Sequence, residues 1–334
     1  MSLLVKFILY WHTIKYLRCS QIFYRIYYKL RPSLHKKKFL SALNRSSGQW
    51  IQTKNNNSKL LVDKRNIEIL GVIGDVTQWT PINKTRLWVY HLHYFDYVSG
   101  DIQSNDSATI KSIIDHWIEK NKMGKRPGWE PYPLSLRIVN WIKFALNGQS
   151  ISGDVLDSLS LQAWYLSRNL EYHLYANHLF RNAKALCFAG LFLDTKYSEK
   201  WLRKGTSIIT KELNEQVLDD GGNFELSPMY HCNMIQDILD LINLNNHYPN
   251  THLTRIVVNL RDTALKMLTW LTHMTHPDGE IAFFNDTALN MSPNLSALTK
   301  YASVLGIKGD YKVFNGATHL KDSGYGVVST QNFR

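Results

Sequence analysis

Beyond Leu87, apolar residues recur at three- and four-residue spacing in one segment after another, and this periodicity constrains the fold more than any other feature. The spacing predicts helices over 108–121, 133–146, 155–170, 172–193, 198–217, 228–245, 253–274 and 294–305. Their connections are short and turn-like, NGQSISGD and LDDGGN among them, so consecutive helices reverse direction. A bundle, a superhelical solenoid or a closed α/α toroid satisfies that rule. No tetratricopeptide, HEAT or ankyrin consensus is found. That favours the toroid, in which rim loops and helix N-termini converge on one cleft.

One short strand precedes the helical pattern and two stretches break it. Residues 67–72 read as a short strand, and HPDGEIAFFND (276–286) reads as a Pro-Asp-Gly turn followed by another. DSGYGVVST (322–330) alternates and is rich in Gly and β-branched residues. It reads as the first strand of a sheet whose other strands are absent, so the chain is expected to stop just inside a β-rich domain. The expected fold class is all-α with the start of a β domain. Its parts are a basic amphipathic helix (1–32), a linker and entry segment (33–85), the helical domain (86–320) and a first β-strand (321–334).

The formal charge of +12 is unevenly spread. Residues 1–62 hold twelve Lys or Arg and no acid, whereas 63–334 hold twenty-seven of each sign. An anion site in the body must therefore be built from local groups, and no nucleic-acid partner is expected. Residues 1–31 read as one basic, aromatic helix stopped by Pro32, which either lies on an anionic membrane surface or packs on the body. Lys6 and His12 interrupt its apolar stretch and no small-residue cleavage site follows. The cytoplasm or the membrane periphery is thus favoured over the periplasm. The longest clean apolar run, 185–193, is far too short to span a bilayer. Three scattered cysteines fit neither a disulfide framework nor a zinc site.

Four segments carry polar groups suited to chemistry. In YHLYANHLFRNAKAL, His173, Asn177, Arg181 and Lys184 fall on one helical face; without an acid among them, the stripe suits an anion, or else is simply solvated. In ELSPMYH, Ser227 and Pro228 start a helix whose first turn holds Tyr230 and His231. The positive end of that helix would ease ionisation of the phenol, as a proton-transfer group requires. In GWEPYPLSLRIVNW, Trp129, Tyr132, Arg137 and Trp141 suit either a sugar platform with a guanidinium or a structural entry loop. In WVYHLHYFDYV, His91, His93 and Asp96 lie close together, but their spacing matches no strong metal motif.

Taken in order, LWVYHLHYFDYV, WEPYPLSLRIVNW, NHLFRNAKAL, ELSPMYH and HPDGEIAFFND resemble the heparinase II/III-like polysaccharide lyases, most closely those found among bacterial surface-polysaccharide genes. The likeness covers roughly residues 86–330. It implies an incomplete α/α toroid followed by a β-sandwich. It also implies β-elimination at a uronic acid of an acidic polysaccharide, in capsule or exopolysaccharide metabolism. By that resemblance Asn177 with His178 neutralises the substrate carboxylate, Tyr230 serves as base, acid or both, and His231 assists. Trp129, Tyr132, Arg137, His173, Arg181, Glu225 and Asn285 would line the substrate. No cofactor is expected, a structural metal in a β domain beyond this chain being the open case. By that likeness the β-sandwich of the family supplies a further histidine, which this chain is expected to lack.

Two other readings stay open: a non-catalytic glycan-binding or scaffold protein that keeps the cleft, and a toroidal glycoside hydrolase. The second needs paired carboxylates, for which Glu130, Glu225 and Asp286 are the candidates.

Overall fold

The computed structural model describes residues 3–53, 65–98, 104–309, 311 and 316–330. Its body is a series of helical hairpins. They comprise α3 (Arg86–Tyr94), α4 (Ser104–Lys120), α5 (Pro131–Leu146), α6 (Gly153–Leu166), α7 (Ala176–Phe192), α8 (Ser198–Gln216), α9 (Pro228–His247), α10 (Thr251–His273) and α11 (Leu295–Val304). Helix α7 is the centre, packed against α5, α6, α8 and α9. It is buried from Ala183 to Phe192 without interruption, as expected of the most apolar helix. Because each connection reverses the chain, the alternate helices α5, α7 and α9 begin at the same rim. Asn177 and Tyr230, from the first turns of α7 and α9, line one pocket there.

Local chemistry explains where helices begin and end. Ser227 caps α9 by accepting the Tyr230 N–H, and Pro228 occupies the first turn, an arrangement whose loss costs about 1 kcal/mol. Helix α6 ends at Leu166, short of the expected 170, because tight turns to Tyr165 and Leu166 carbonyls close it. Helix α7 begins at Ala176, later than the expected 172: Leu174 and Tyr175 N–H groups turn back onto the Glu171 carbonyl, and Tyr175 then adopts φ 64°, ψ −158°.

The N-terminal arm departs from expectation. It is two helices, α1 (Leu3–Ile14) and α2 (Cys19–Leu30), because Arg18 is extended and the Gln21 side chain accepts its N–H at 3.0 Å, starting a second helix. The first part of the segment expected as a linker, 33–85, is extended and tied down through residue 51, while 54–64 lies outside the described residues. Ala42–Leu43 (β1) pairs antiparallel with Leu193–Asp194 (β4) at the end of α7. Ser47 and Gly48 N–H groups reach the His247 carbonyl at the end of α9. Gly48 is obligatory, since a Cβ there would stand 1.8 Å from the Asn246 oxygen. Ile51 exchanges two hydrogen bonds with the Asn243 side chain, at 3.1 and 2.8 Å. Polar backbone is retained here because helix C-termini offer carbonyls that lack partners.

The expected strand at 67–72 is a hairpin, β2 (Asn66–Ile69) with β3 (Val72–Asp75), turned at Leu70-Gly71. The turn at 277–279 forms, but only one bridge, Thr275 to Ile281, follows it. The C-terminal β character is likewise a hairpin, β5 (Gly316–Leu320) with β6 (Tyr325–Ser329), and its first strand precedes the expected boundary at 321; residues 331–334 lie outside the described residues. It is anchored by Asp220, which accepts from the Asp322 and Ser323 N–H groups and the Ser323 hydroxyl, and by packing of Leu320 and Tyr325 near Trp270. Among the described residues no helix is long and apolar enough to cross a membrane.

Candidate active site

Both helices that carry the expected site begin beside non-glycine residues with positive φ. Tyr175 (64°) and Ala176 (54°) precede Asn177, and Leu226 (56°) precedes the Ser227 cap. Each costs of the order of 1 kcal/mol, a strain that persists only where neighbours over-determine it. At Leu226 the neighbours are visible: its carbonyl accepts from the Asn285 amide at 2.7 Å and from the Tyr325 hydroxyl at 2.9 Å. Asn285 is itself exposed with φ 50°, so its amide fixes the loop before α9.

Between the two helix starts lies a pocket lined by Asn177, Arg181, Asn223, Tyr230, Asn233 and Asp237, among others. Its enclosed volume is about 10 Å3, room for roughly one water.

The floor is ionic. The Arg181 Nε donates to Asp237 at 3.1 Å, and its Nη1 donates to the Tyr132 hydroxyl. Lys184 bridges Asp237 (2.6 Å) and Asp240 (2.5 Å), and Lys143 also donates to Asp240 at 2.5 Å. The Tyr301 hydroxyl completes the shell of Asp240 at 3.2 Å. Three cations thus face two carboxylates within this cluster, while Asp96 also acts on Arg181, and Glu225 and Asp286 act on Tyr230 beside it. Burial opposes the charge on Lys143 and lowers its pKa; on Arg181 and Lys184 the same opposition is outweighed by their partners, and both are raised. Burial pushes the Tyr132 phenol up to about 12 despite Arg181.

The sequence stripe on α7 is therefore only partly a cleft face. Asn177 and Arg181 reach the pocket, whereas Lys184 is buried among acids from α9. His173 lies before the helix, edge-on to Tyr28 at 5.6 Å. His178 packs its ring on Tyr132 at 4.4 Å and donates through Nδ1 to Glu171 Oε1 at 3.1 Å. Asn182 donates to the other Glu171 oxygen at 3.0 Å.

Tyr230 is partly buried at the pocket. The expectation that its helix terminus would ease ionisation is reversed: burial raises the phenol pKa, and Asp286 and Glu225 add to it, against Arg181. Burial also raises Glu225, with Asp286 reinforcing and the Asn177 N–H and His178 opposing.

His231 is not in the cleft. It is fully buried, packs tilted against Trp270 at 4.4 Å, donates from Nε2 to the Met267 carbonyl at 2.9 Å and accepts the Asn223 N–H on Nδ1 at 3.2 Å. One residue past Tyr230, it points roughly 100° round the helix, into the core. Burial pushes its pKa down to about 4. The unfolded ring, with a pKa of about 6.5, binds its proton first. The stability held by the neutral ring is thus complete above about 6.5 and is lost as pH falls through that window toward about 4. A series of melting temperatures should show this slope, shallower in His231→Gln; equal slopes in both proteins would remove His231 from the account.

The proposed aromatic platform is also core. Trp129 is buried against Trp117 and donates to the Asn121 carbonyl. Arg137 is fully buried, 3.8 Å from the Trp117 ring centre, and donates to Gln162 and to the Gly128 and His93 carbonyls. It holds the entry loop, and no substrate carboxylate can reach it. His93 is buried between Trp79 and Trp117 partners, and among the described residues no group of three His, Cys, Asp or Glu could hold a metal ion. Glu130 is taken up by Arg86, Arg126 and Tyr90. The groups missed in sequence are Glu171, Asp237 and Asp240. Two acids in the apolar run QDILDLINL were the signal for the latter pair, since such acids are buried only with partners.

The heparinase II/III N-terminus family model matches residues 111–312. A heparin-sulfate lyase of Bacteroides stercoris is 33% identical over 267 residues, covering 65% of this chain and 37% of that protein. One from Pedobacter heparinus is 28% identical over 190 residues, covering 51% and 27%. The chain thus spans about a third of the length of the curated relatives it matches. A crystal structure of heparinase III superimposes with a TM-score of 0.58 at 19% identity, over 92% of this chain and 52% of that one. A heparan sulfate lyase mutant from Pedobacter heparinus gives 0.51 at 21% identity, over 79% and 47%. These superpositions show the fold, the α/α toroid that the helical periodicity favoured.

Proposed function

The chain belongs to the heparinase II/III family, and from that premise we propose that its cleft is the helical half of a polysaccharide lyase site acting on uronate-containing glycans, heparan sulfate-like chains among them. The observation that carries this is the meeting of Asn177, Arg181 and Tyr230 at one pocket whose floor is a buried ion-pair cluster. A uronate carboxylate over that floor is neutralised by the Asn177 amide and Arg181, so that charge can build up when the C5 proton leaves. His178 gives its Nδ1 hydrogen to Glu171, so the other nitrogen of the neutral ring is the acceptor and takes the C5 proton. Tyr230, which keeps its proton in the resting cleft, delivers it to the bridging oxygen as the C4–O bond breaks. Imidazolium and phenolate then exchange a proton to reset the site. Capsule or exopolysaccharide metabolism is the setting that the chemistry suits.

The test is incubation with heparan sulfate and with other uronate glycans, followed by near-ultraviolet absorbance of the unsaturated product. Absence of product with every uronate glycan, alongside retained oligosaccharide binding, would favour the glycan-binding alternative.

The arm suggests a location. Leu9, Tyr10 and Trp11 of α1 and Phe23, Ile26 and Leu30 of α2 are exposed, within a stretch that holds basic residues and no acid. We propose that this face rests on an anionic lipid surface at the membrane periphery. The protein should co-sediment with phosphatidylglycerol-containing vesicles at low salt, not with phosphatidylcholine, and Trp11→Asp should release it. Equal recovery with both lipids would rule the surface out.

A further inference from the structure

We propose that α2 is a positioning element of the cleft: it clamps residues 168–175, the segment that sets the backbone of Asn177 and the ring of His178. The proposal rests on the lyase reading only for the roles of those two residues.

Helix α2 has no buried residue, so it adds little to the core. Its inward contacts are instead polar and aimed at one segment. The Tyr28 hydroxyl donates to the Leu170 carbonyl at 2.5 Å. Arg31 donates to the Arg168 carbonyl and the Asn169 side chain. Gln21 donates to the His173 carbonyl at 3.3 Å. Ser20 and Tyr175 share a hydroxyl–hydroxyl bond at 2.8 Å, and Tyr24 stacks on Tyr172 at 4.6 Å. Arg18 lies over the Tyr175 ring at 5.2 Å and is itself fixed to Glu215 at 2.6 Å.

The clamped segment follows the end of α6, where carbonyls lack helical partners; side chains of α2 supply the donors. It has two outputs. Through Glu171 it orients His178. Through Tyr175 and Ala176, both at positive φ, it sets the direction in which Asn177 enters α7. An L-residue holds that backbone only where neighbours enforce it, and the Tyr175 side chain is enforced by α2. Ile26 and Leu30, on the outward face, take no part.

The experiment compares Tyr28→Phe, Arg31→Ala and Tyr175→Phe in the full chain with the outward control Leu30→Ala. Backbone nitrogen–proton correlation spectra should show displaced, broadened signals for Asn177 and His178 in the first three, with Tyr230 unmoved and no change in the control. Product formation should show kcat lowered about 10- to 100-fold at unchanged KM, the signature of misplaced groups. Tyr175→Phe removes a single hydroxyl, so it reports on the clamp even if Arg31→Ala does not fold. Unmoved Asn177 and His178 signals together with a lowered melting temperature would overturn the proposal, leaving α2 a purely stabilising element. The spectra need no turnover, so an inactive parent chain would count against the lyase reading and not against the clamp.

Discussion

Replacing Tyr230 by Phe is expected to lower lyase turnover by about 10²- to 10⁴-fold, the range for loss of one proton-transfer group, while oligosaccharide affinity stays as it was. The ring is partly buried at the pocket beside Asn177 and Arg181, so Phe keeps the ring packing and removes only the hydroxyl. Burial, Asp286 and Glu225 hold the phenol pKa above its ordinary value. As an acid it is therefore fully loaded at neutral pH, and its contribution to the rate should be flat there and fall only at strongly alkaline pH. Were it the base, the rate would rise with pH through and beyond neutrality. Turnover by Tyr230→Phe comparable with that of the parent would remove Tyr230 from the mechanism, and a rate climbing steadily with alkalinity would reverse its role.

The second large effect is on stability. Asp240→Ala is expected to cost about 3–5 kcal/mol, the range for breaking a buried ion pair by removing one partner. Asp240 is 1% exposed and holds both Lys143 and Lys184 at 2.5 Å. Its loss leaves Lys143 without an acid in the described network and Lys184 with Asp237 alone, and melting should fall by roughly 5–15 °C. The exposed Lys120–Glu119 pair is the contrast: its removal should leave melting almost unchanged. Burial alone would raise the Asp240 pKa, but Lys143 and Lys184 outweigh it and lower it. A carboxylate depressed on folding stabilises above the ordinary carboxylate range and stops doing so as pH falls below it. Thermal denaturation of the parent should steepen in that acid range, and Asp240→Ala should lack that part of the slope. A loss no larger than that of the surface pair would show that the cluster is not held as a unit.

The helices were legible because burial of one face imposes a spacing that local sequence carries. Ser227-Pro228 even marked the start of α9 to the residue. Ends set by tertiary contacts were not legible: α7 begins four residues late because Glu171 and Tyr175 form a turn, which apolar spacing does not encode. The same limit divides the site. Asn177, Arg181 and Tyr230 were legible as polar positions in the first turns of apolar helices, and all three line one pocket. Adjacent residues on a helix point apart, so Tyr230 could not vouch for His231. Trp129 and Arg137 looked like a sugar platform because aromatic rings and guanidinium groups serve core and cleft alike; only the hydrogen-bond partners of Arg137 decide between them.

The strap at 41–51 and the clamp of α2 share a property with a temporal consequence. Their partners lie 116 to 192 residues further along the chain. At ribosomal speeds of about 5–20 residues per second, the arm waits roughly 6 to 40 seconds for the surfaces that receive it. During that interval its aromatic and aliphatic side chains are open to any other apolar surface, and contacts of such long sequence separation are slow to close even once their partners exist. Docking of the arm is therefore a late event in the maturation of the chain, and the geometry around Asn177 is completed only when the residues made earliest among its supports come back to meet it.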